Sequence, residues 1–171
     1  NAYNMAYIGT VDDIDLPGYS SPEFVDIDGD SDYDLLMGNV TGSIYYYENI
    51  GSRYLPNFEF ITSNFQNISV DLRSTILSIK YDCDEDFDFI IGSGNDNVSF
   101  YKNVGSKFIP ILQISNELNF PFLGLNTSLG FYNQSTNQGI ITGISTGGSY
   151  FLPILHHSTG DINHDEFINI F

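Results

Sequence analysis

Nine residues near the start of the chain could do metal chemistry. Asp26-Ile27-Asp28-Gly29-Asp30-Ser31-Asp32-Tyr33-Asp34 sets a carboxylate at every second position. Carboxylates a few Å apart repel by about 1–3 kcal/mol per pair at effective dielectrics between those of water and a protein surface. A cation relieves that repulsion. Hard divalent ions such as Ca2+ take six to eight oxygens at about 2.3–2.6 Å, and side chains at positions one, three and five of a tight loop converge on one point. Asp26, Asp28 and Asp30 hold those positions. The backbone carbonyl of Asp32 is expected at position seven, with Asp34 closing the cage at position nine.

A second run, Asp82, Asp84, Asp86 and Asp88, repeats the spacing, with Lys80 where Asp26 stood and Cys83 in place of Gly29. Two arrangements are open for it. Lys80 folds back and supplies the positive charge of a metal-free loop, or the four acids hold a metal with water in the vacant position. Cys83 is a soft ligand in a hard-cation loop and fits better as a buried, inert thiol. A third version has Phe131, Asn133 and Ser135 at these places and should bind nothing. Near the C-terminal end Asp161, Asn163 and Asp165 again stand at positions one, three and five, with Asn169 at nine. Strand-like residues, Leu35-Leu36-Met37-Gly38, follow the first loop, and Met37 stands where an EF-hand needs its Glu, so a helix-flanked EF-hand is the wrong reading.

The elements that must position these loops recur with them. A shift of 54 lays Asp34-Leu35-Leu36-Met37-Gly38 on Asp88-Phe89-Ile90-Ile91-Gly92, then Tyr47 on Tyr101, Asn49 on Asn103, Gly51 on Gly105 and Pro56 on Pro110, without a gap. A degraded third version aligns Gly139-Ile140-Ile141-Thr142-Gly143 with Asp34 to Gly38. Pro22 to Val25, Leu35 to Gly38, Ser43 to Glu48 and Phe58 to Thr62 are β-branched and aromatic runs bounded by Gly, Asn, Asp or Pro, the pattern of short strands. No stretch sustains a 3.6-residue apolar stripe, so helix should be scarce. The expected fold is all-β, with propeller-type blades of four antiparallel strands. By the same offset Tyr3 to Gly9 is the fourth strand of a preceding blade. The chain divides into residues 1–20, that strand and an acidic linker; blade repeats over 21–74 and 75–124; a degenerate repeat over 125–156; and a calcium-loop-like tail over 157–171. In the tail, Phe167 to Phe171 either supplies the fourth strand of the third blade or follows the first loop of a new domain.

Composition sets the outer limits. Twenty-two acidic side chains stand against 5 basic ones, a formal charge of −17 on 171 residues. Such a charge repels phosphate backbones and anionic membrane surfaces, which excludes nucleic acid as a natural partner and disfavours membrane docking. No apolar run approaches the roughly 20 residues of a membrane helix. With 42% hydrophobic and 15% aromatic residues the chain has the material for a packed core, unlike an acidic disordered tail. Its single Cys allows no intrachain disulfide, so a staple must be of another kind. A signal peptide is expected to be absent or already removed, since Asn1 opens no basic or apolar leader.

The residues Phe24-Val25-Asp26-Ile27-Asp28-Gly29-Asp30, followed by Asp34-Leu35, Gly38, Gly42-Ser43-Ile44, Tyr46-Tyr47-Glu48-Asn49 and Gly51, resemble an FG-GAP or VCBS-type repeat. This is the calcium-binding β-propeller blade also found in integrin α-chains and some secreted lectins. The resemblance covers roughly residues 1–153, and the tail from Gly160 is similar over about twelve residues to the opening of a dockerin-type calcium loop. It implies calcium between a blade's first two strands and an extracellular or cell-surface role in adhesion or ligand binding, with a protein or glycan as ligand. Family propellers close with about seven blades, whereas about three are present here. The chain is therefore a fragment of a larger propeller, or it pairs its open edges with other copies of itself and assembles as a filament by strand addition. A further alternative is the accessory, carbohydrate-binding part of a secreted polysaccharide-degrading enzyme. No nucleophile elbow, phosphate loop or separated acid–base pair is present, and the chain reads as non-enzymatic.

Five sequons, at Asn39, Asn67, Asn97, Asn126 and Asn133, are candidate glycosylation sites, Asn39 and Asn97 foremost because they flank predicted turns. His156-His157 lacks a third ligand at metal spacing and reads as a solvated or packed pair. Tyr45-Tyr46-Tyr47 alternates across a strand and reads mainly as packing rather than a sugar platform.

Overall fold

The apolar and aromatic runs become eleven short strands in the computed structural model, which describes residues 14–154 except Cys83, Asp96, Phe122, Leu123, Ser135 and Thr136. The first sheet holds β1 (Ser20–Val25), β2 (Asp34–Asn39), β3 (Ile44–Asn49) and β4 (Phe58–Thr62). The second holds β5 (Thr75–Ile79), β6 (Asp88–Gly92), β7 (Val98–Asn103) and β8 (Leu112–Ser115). The third holds β9 (Ser128–Gln134), β10 (Asn137–Gly143) and β11 (Ser149–Ile154). Every pairing is antiparallel between strands consecutive in the chain, so each sheet is a simple up-and-down meander. The only helical element among the described residues is a 3-10 turn at Phe65–Asn67, and no helix is long and apolar enough to cross a membrane. The chain is thus all-β, in three antiparallel sheets.

The sheets are held to one another through their first strands. β5 lies against β1 and β2 on one side and against β9 on the other. Glu23 of β1 accepts hydrogen bonds from the Ser78 N–H at 2.8 Å and the Ser78 hydroxyl at 2.5 Å on β5. Ser74 donates its hydroxyl to the Ser43 carbonyl at 2.7 Å and accepts the Asn39 N–H at 3.0 Å. The approach is closest at Gly42, whose φ is +84° and where a Cβ would overlap the Val70 carbonyl. Only Gly serves there.

Alternation then divides the core in two. Ile76, Phe89 and Ile91 of the second sheet join Val25, Leu36, Ile44, Tyr46 and Phe65. Their neighbours Leu77, Ile79 and Ile90 join Phe100, Ile140 and Ile154 on the opposite face. A sheet covered on both faces needs near-continuous apolar strands, as β6 shows: all five of its residues are buried. Along β3 the tyrosines alternate: Tyr46 packs against Phe65 in the first core, while Tyr45 and Tyr47 both pack against Phe60 of β4 on the other face.

Burial corrects one candidate modification site. Asn39 is fully buried, and its Oδ1 accepts the Thr41 N–H and hydroxyl at 2.8 and 2.6 Å, so no glycan fits on it in this fold. Asn67, Asn97 and Asn133 are exposed, and Asn126 is half-buried with its Oδ1 accepting from Arg73 at 2.9 Å. Tyr3 to Gly9, Cys83, His156-His157 and the tail residues Asp161, Asn163, Asp165 and Asn169 lie outside the described residues.

Candidate metal centre

The first acidic loop connects β1 to β2 and is folded by its own carboxylates. The Ser31 N–H donates to Asp26 Oδ2 at 3.2 Å, the Asp30 N–H to Asp28 Oδ1 at 3.2 Å, and the Asp32 N–H to Asp30 Oδ1 at 3.0 Å. The last two are local turns that Asp makes readily, and the first closes the loop across five residues. Two left-handed positions tighten the loop. Gly29, at φ +76°, sits where a Cβ would come 2.7 Å from the Phe108 ring, and Ser31 takes φ +80° without being Gly.

These turns aim one carboxylate oxygen from each of Asp26, Asp28 and Asp30 at a common point, all within 4.8 Å of one another. Oxygens on opposite sides of a bound Ca2+ are about 4.6–5.2 Å apart, so the three fit one coordination sphere. No other group of three His, Cys, Asp or Glu converges this way among the described residues. Asp26 Oδ1 and Asp32 Oδ1 are buried without a hydrogen-bond partner. A buried, unpaired carboxylate oxygen is costly unless a cation or proton completes it. An all-oxygen donor set suits a hard divalent cation such as Ca2+.

Asp32 and Asp34 are placed differently from the three. Asp32, expected to offer its carbonyl, has a buried side chain whose pKa is raised by burial first and by Asp30 next. Asp34 is buried, and both of its oxygens accept backbone N–H groups, from Ile27 at 2.9 Å and Asn49 at 2.8 Å. It straps the loop to β3. Burial, partly offset by those two bonds, pushes its pKa up to about 6.

The same strap recurs 54 residues on. Asp88 accepts the Tyr81 N–H at 3.1 Å and the Asn103 N–H at 2.8 Å, and burial pushes its pKa up to about 6. Asn49 and Asn103 then cap matching turns, each Oδ1 accepting two backbone N–H groups. Asp86, like Asp32, is buried with Oδ1 unpartnered, and burial followed by Asp84 pushes it up to about 7.

Of the two arrangements open for the second loop, the one that draws its positive charge from Lys80 is not the one found. Lys80 does not fold back onto the acids; its Nζ lies 5.1 Å over the Phe87 ring. The cation comes instead from β7, where Lys102 Nζ is 3.1 Å from Asp82 Oδ2 and 3.4 Å from Glu117. Against the upward push of burial, hydrogen bonds from Asp84 and Lys102 hold the Asp82 carboxyl below the usual range. Asp82 first raises the Lys102 ammonium in return. Sequence reasoning missed Lys102, although the 54-residue shift lays it on Glu48 and so displays a charge reversal.

Beside the first loop lies an open cleft of about 500 Å3, walled by Phe24, Asp26, Asp32 and Tyr33 on one side and by Arg53, Lys80 and Phe87 elsewhere. Phe24 and Tyr33 are more than half exposed. Neither Arg53 nor Lys80 makes an ion pair among the described residues. No protein-family model, curated protein or solved structure matches the chain.

Proposed function

We propose that the chain is a non-enzymatic, calcium-binding module whose Asp26–Asp28–Asp30 loop holds Ca2+ as a structural staple. Convergence of the three carboxylates, with Asp26 Oδ1 buried and unpartnered beside them, carries this reading. Bound only by the folded loop, the ion stabilises by mass action, about 2.7 kcal/mol at a free concentration one hundred times Kd. It takes the place a disulfide cannot fill in a chain with one Cys. Thermal melting tests it. Chelator should lower the Tm of the wild type, and Asp28→Ala with Asp30→Ala should remove that dependence; a wild-type melting curve indifferent to chelator overturns the reading.

The up-and-down order of the sheets and the contact of β5 with both β1 and β9 support FG-GAP or VCBS-type blades in an incomplete propeller. With that identity go a secreted or cell-surface location and a role in adhesion or ligand binding. The aromatic and cationic walls of the cleft supply the surface for an extracellular protein or glycan, including the accessory role beside a polysaccharide-degrading domain. A second reading rests on the sheet edges. β4 and β8 end their sheets and expose Phe60, Ile61 and Ile114, a surface suited to strand addition from another copy. Light scattering at rising concentration should then show growing assemblies, and a monomer throughout refutes the filament.

A further inference from the structure

The two acidic loops have the same framework but different neighbours. Asp34 and Asp88 strap their loops to the third strand of each sheet in the same way. Asp28 and Asp82 both accept the N–H two residues on through Oδ1. They part at the other oxygen. Asp82 Oδ2 is held by Lys102 at 3.1 Å, whereas no ion pair reaches Asp26, Asp28 or Asp30 among the described residues. At the strand position of Lys102 the first sheet has Glu48, directly opposite Glu59 on β4. In the second sheet Lys102 faces the neutral Gln113. Lys80, standing where Asp26 stands, removes a further ligand from the second loop. The second loop's acids accordingly do not converge as the first three do.

We propose that Lys102 is the resident cation of the second loop: its ammonium, paired with Asp82, supplies the positive charge that Ca2+ supplies in the first, making one loop metal-dependent and its partner metal-free. An ammonium supplies a single positive charge and three donors, enough for Asp82 and Glu117 but short of the six to eight oxygen contacts of Ca2+. The remaining buried acid, Asp86, keeps an unpartnered Oδ1. Two carboxylate-to-ammonium exchanges, at the positions of Asp26 and Glu48, thus convert a metal loop into one that carries its own cation. The inference rests on the first loop being a calcium site, and the test separates the two claims.

Calcium ions on the whole chain are counted by native mass spectrometry after chelator treatment and Ca2+ addition, with folding checked by circular dichroism. Lys102→Gln should bind one ion more than the wild type, and adding Asp84→Asn with Asp86→Asn to it should remove that ion. In the wild-type background the same Asp84→Asn, Asp86→Asn pair should leave the count unchanged. A folded Lys102→Gln chain with the wild-type count overturns the proposal, as does a wild-type chain that loses an ion with the Asp84 and Asp86 substitutions. Should Lys102→Gln fail to fold, the wild-type-background pair decides alone, an unchanged count supporting and a lost ion refuting. Asp28→Asn with Asp30→Asn should cost one ion whatever Lys102 does; retention of that ion refutes the first-loop site itself.

Discussion

Carboxylates of one type carry three different jobs in a nine-residue loop. Asp26, Asp28 and Asp30 each keep one oxygen directed at a shared point, Asp34 spends both of its oxygens on backbone N–H groups, and Asp32 is buried with an oxygen unpaired. Their substitutions should therefore separate. Asp34→Ala orphans two buried donors, at about 1–3 kcal/mol each, and should destabilise with or without chelator. Asp28→Ala removes one exposed turn bond and should lower stability clearly more with Ca2+ present than after chelation, which denaturant titrations in both conditions would show. The pH dependence follows from the same groups. Asp34 and Asp88 at about 6 and Asp86 at about 7 stand above the ordinary 3.8, so the native chain holds protons that the unfolded chain has released. Their stabilisation is complete below the unfolded pKa and is lost as pH rises through 6 to 7. Asp82, lowered by its partners, works the other way and loses its contribution only in acid. Asp32 is raised as well, so with four carboxylates raised against one lowered the chelated chain should melt at a higher temperature near pH 5 than near pH 8. The reverse order in a calorimeter would contradict these burial effects.

At the scale of elements, the second sheet is the keystone. Phe89 and Ile90 are adjacent on β6 yet belong to opposite cores, one shared with the first sheet and one with the third. Phe89→Ala should cost about 3–5 kcal/mol, the range for a fully buried ring. The aromatic contact of Phe89 with Phe65, at 6.2 Å, is lost with it. Denaturant unfolding measures this directly. Strands were legible in the sequence because turn residues punctuate the β-branched runs, and the 54-residue shift fixed their correspondence. Leu35 to Gly38 became the body of β2, and Phe58 to Thr62 became β4 residue for residue. The double burial of β6 was written in Asp88-Phe89-Ile90-Ile91-Gly92, but which neighbour covers each face depends on contacts far apart in the chain. Lys102 was missed and Asn39 misjudged for related reasons. A long side chain on β7 reaches a loop twenty residues away, and a sequon beside a predicted turn is buried at a strand end whose backbone N–H donates to Ser74, far along the chain.

For the whole molecule, a net charge of −17 is a property of loops more than of a general coat. Self-repulsion in the acidic loops is screened by salt with a Debye length near 10 Å at about 0.1 M. Raising NaCl from about 10 mM to about 500 mM should increase the Tm of the chelated chain by more than that of the calcium-loaded one, because Ca2+ has already neutralised the first loop. The most direct test of the account is calorimetric titration of Ca2+ into chelator-stripped wild-type chain and into Asp28→Ala, Asp30→Ala chain. The wild type should show a binding step that the double variant lacks. Identical isotherms from the two chains would contradict a calcium site at Asp26, Asp28 and Asp30.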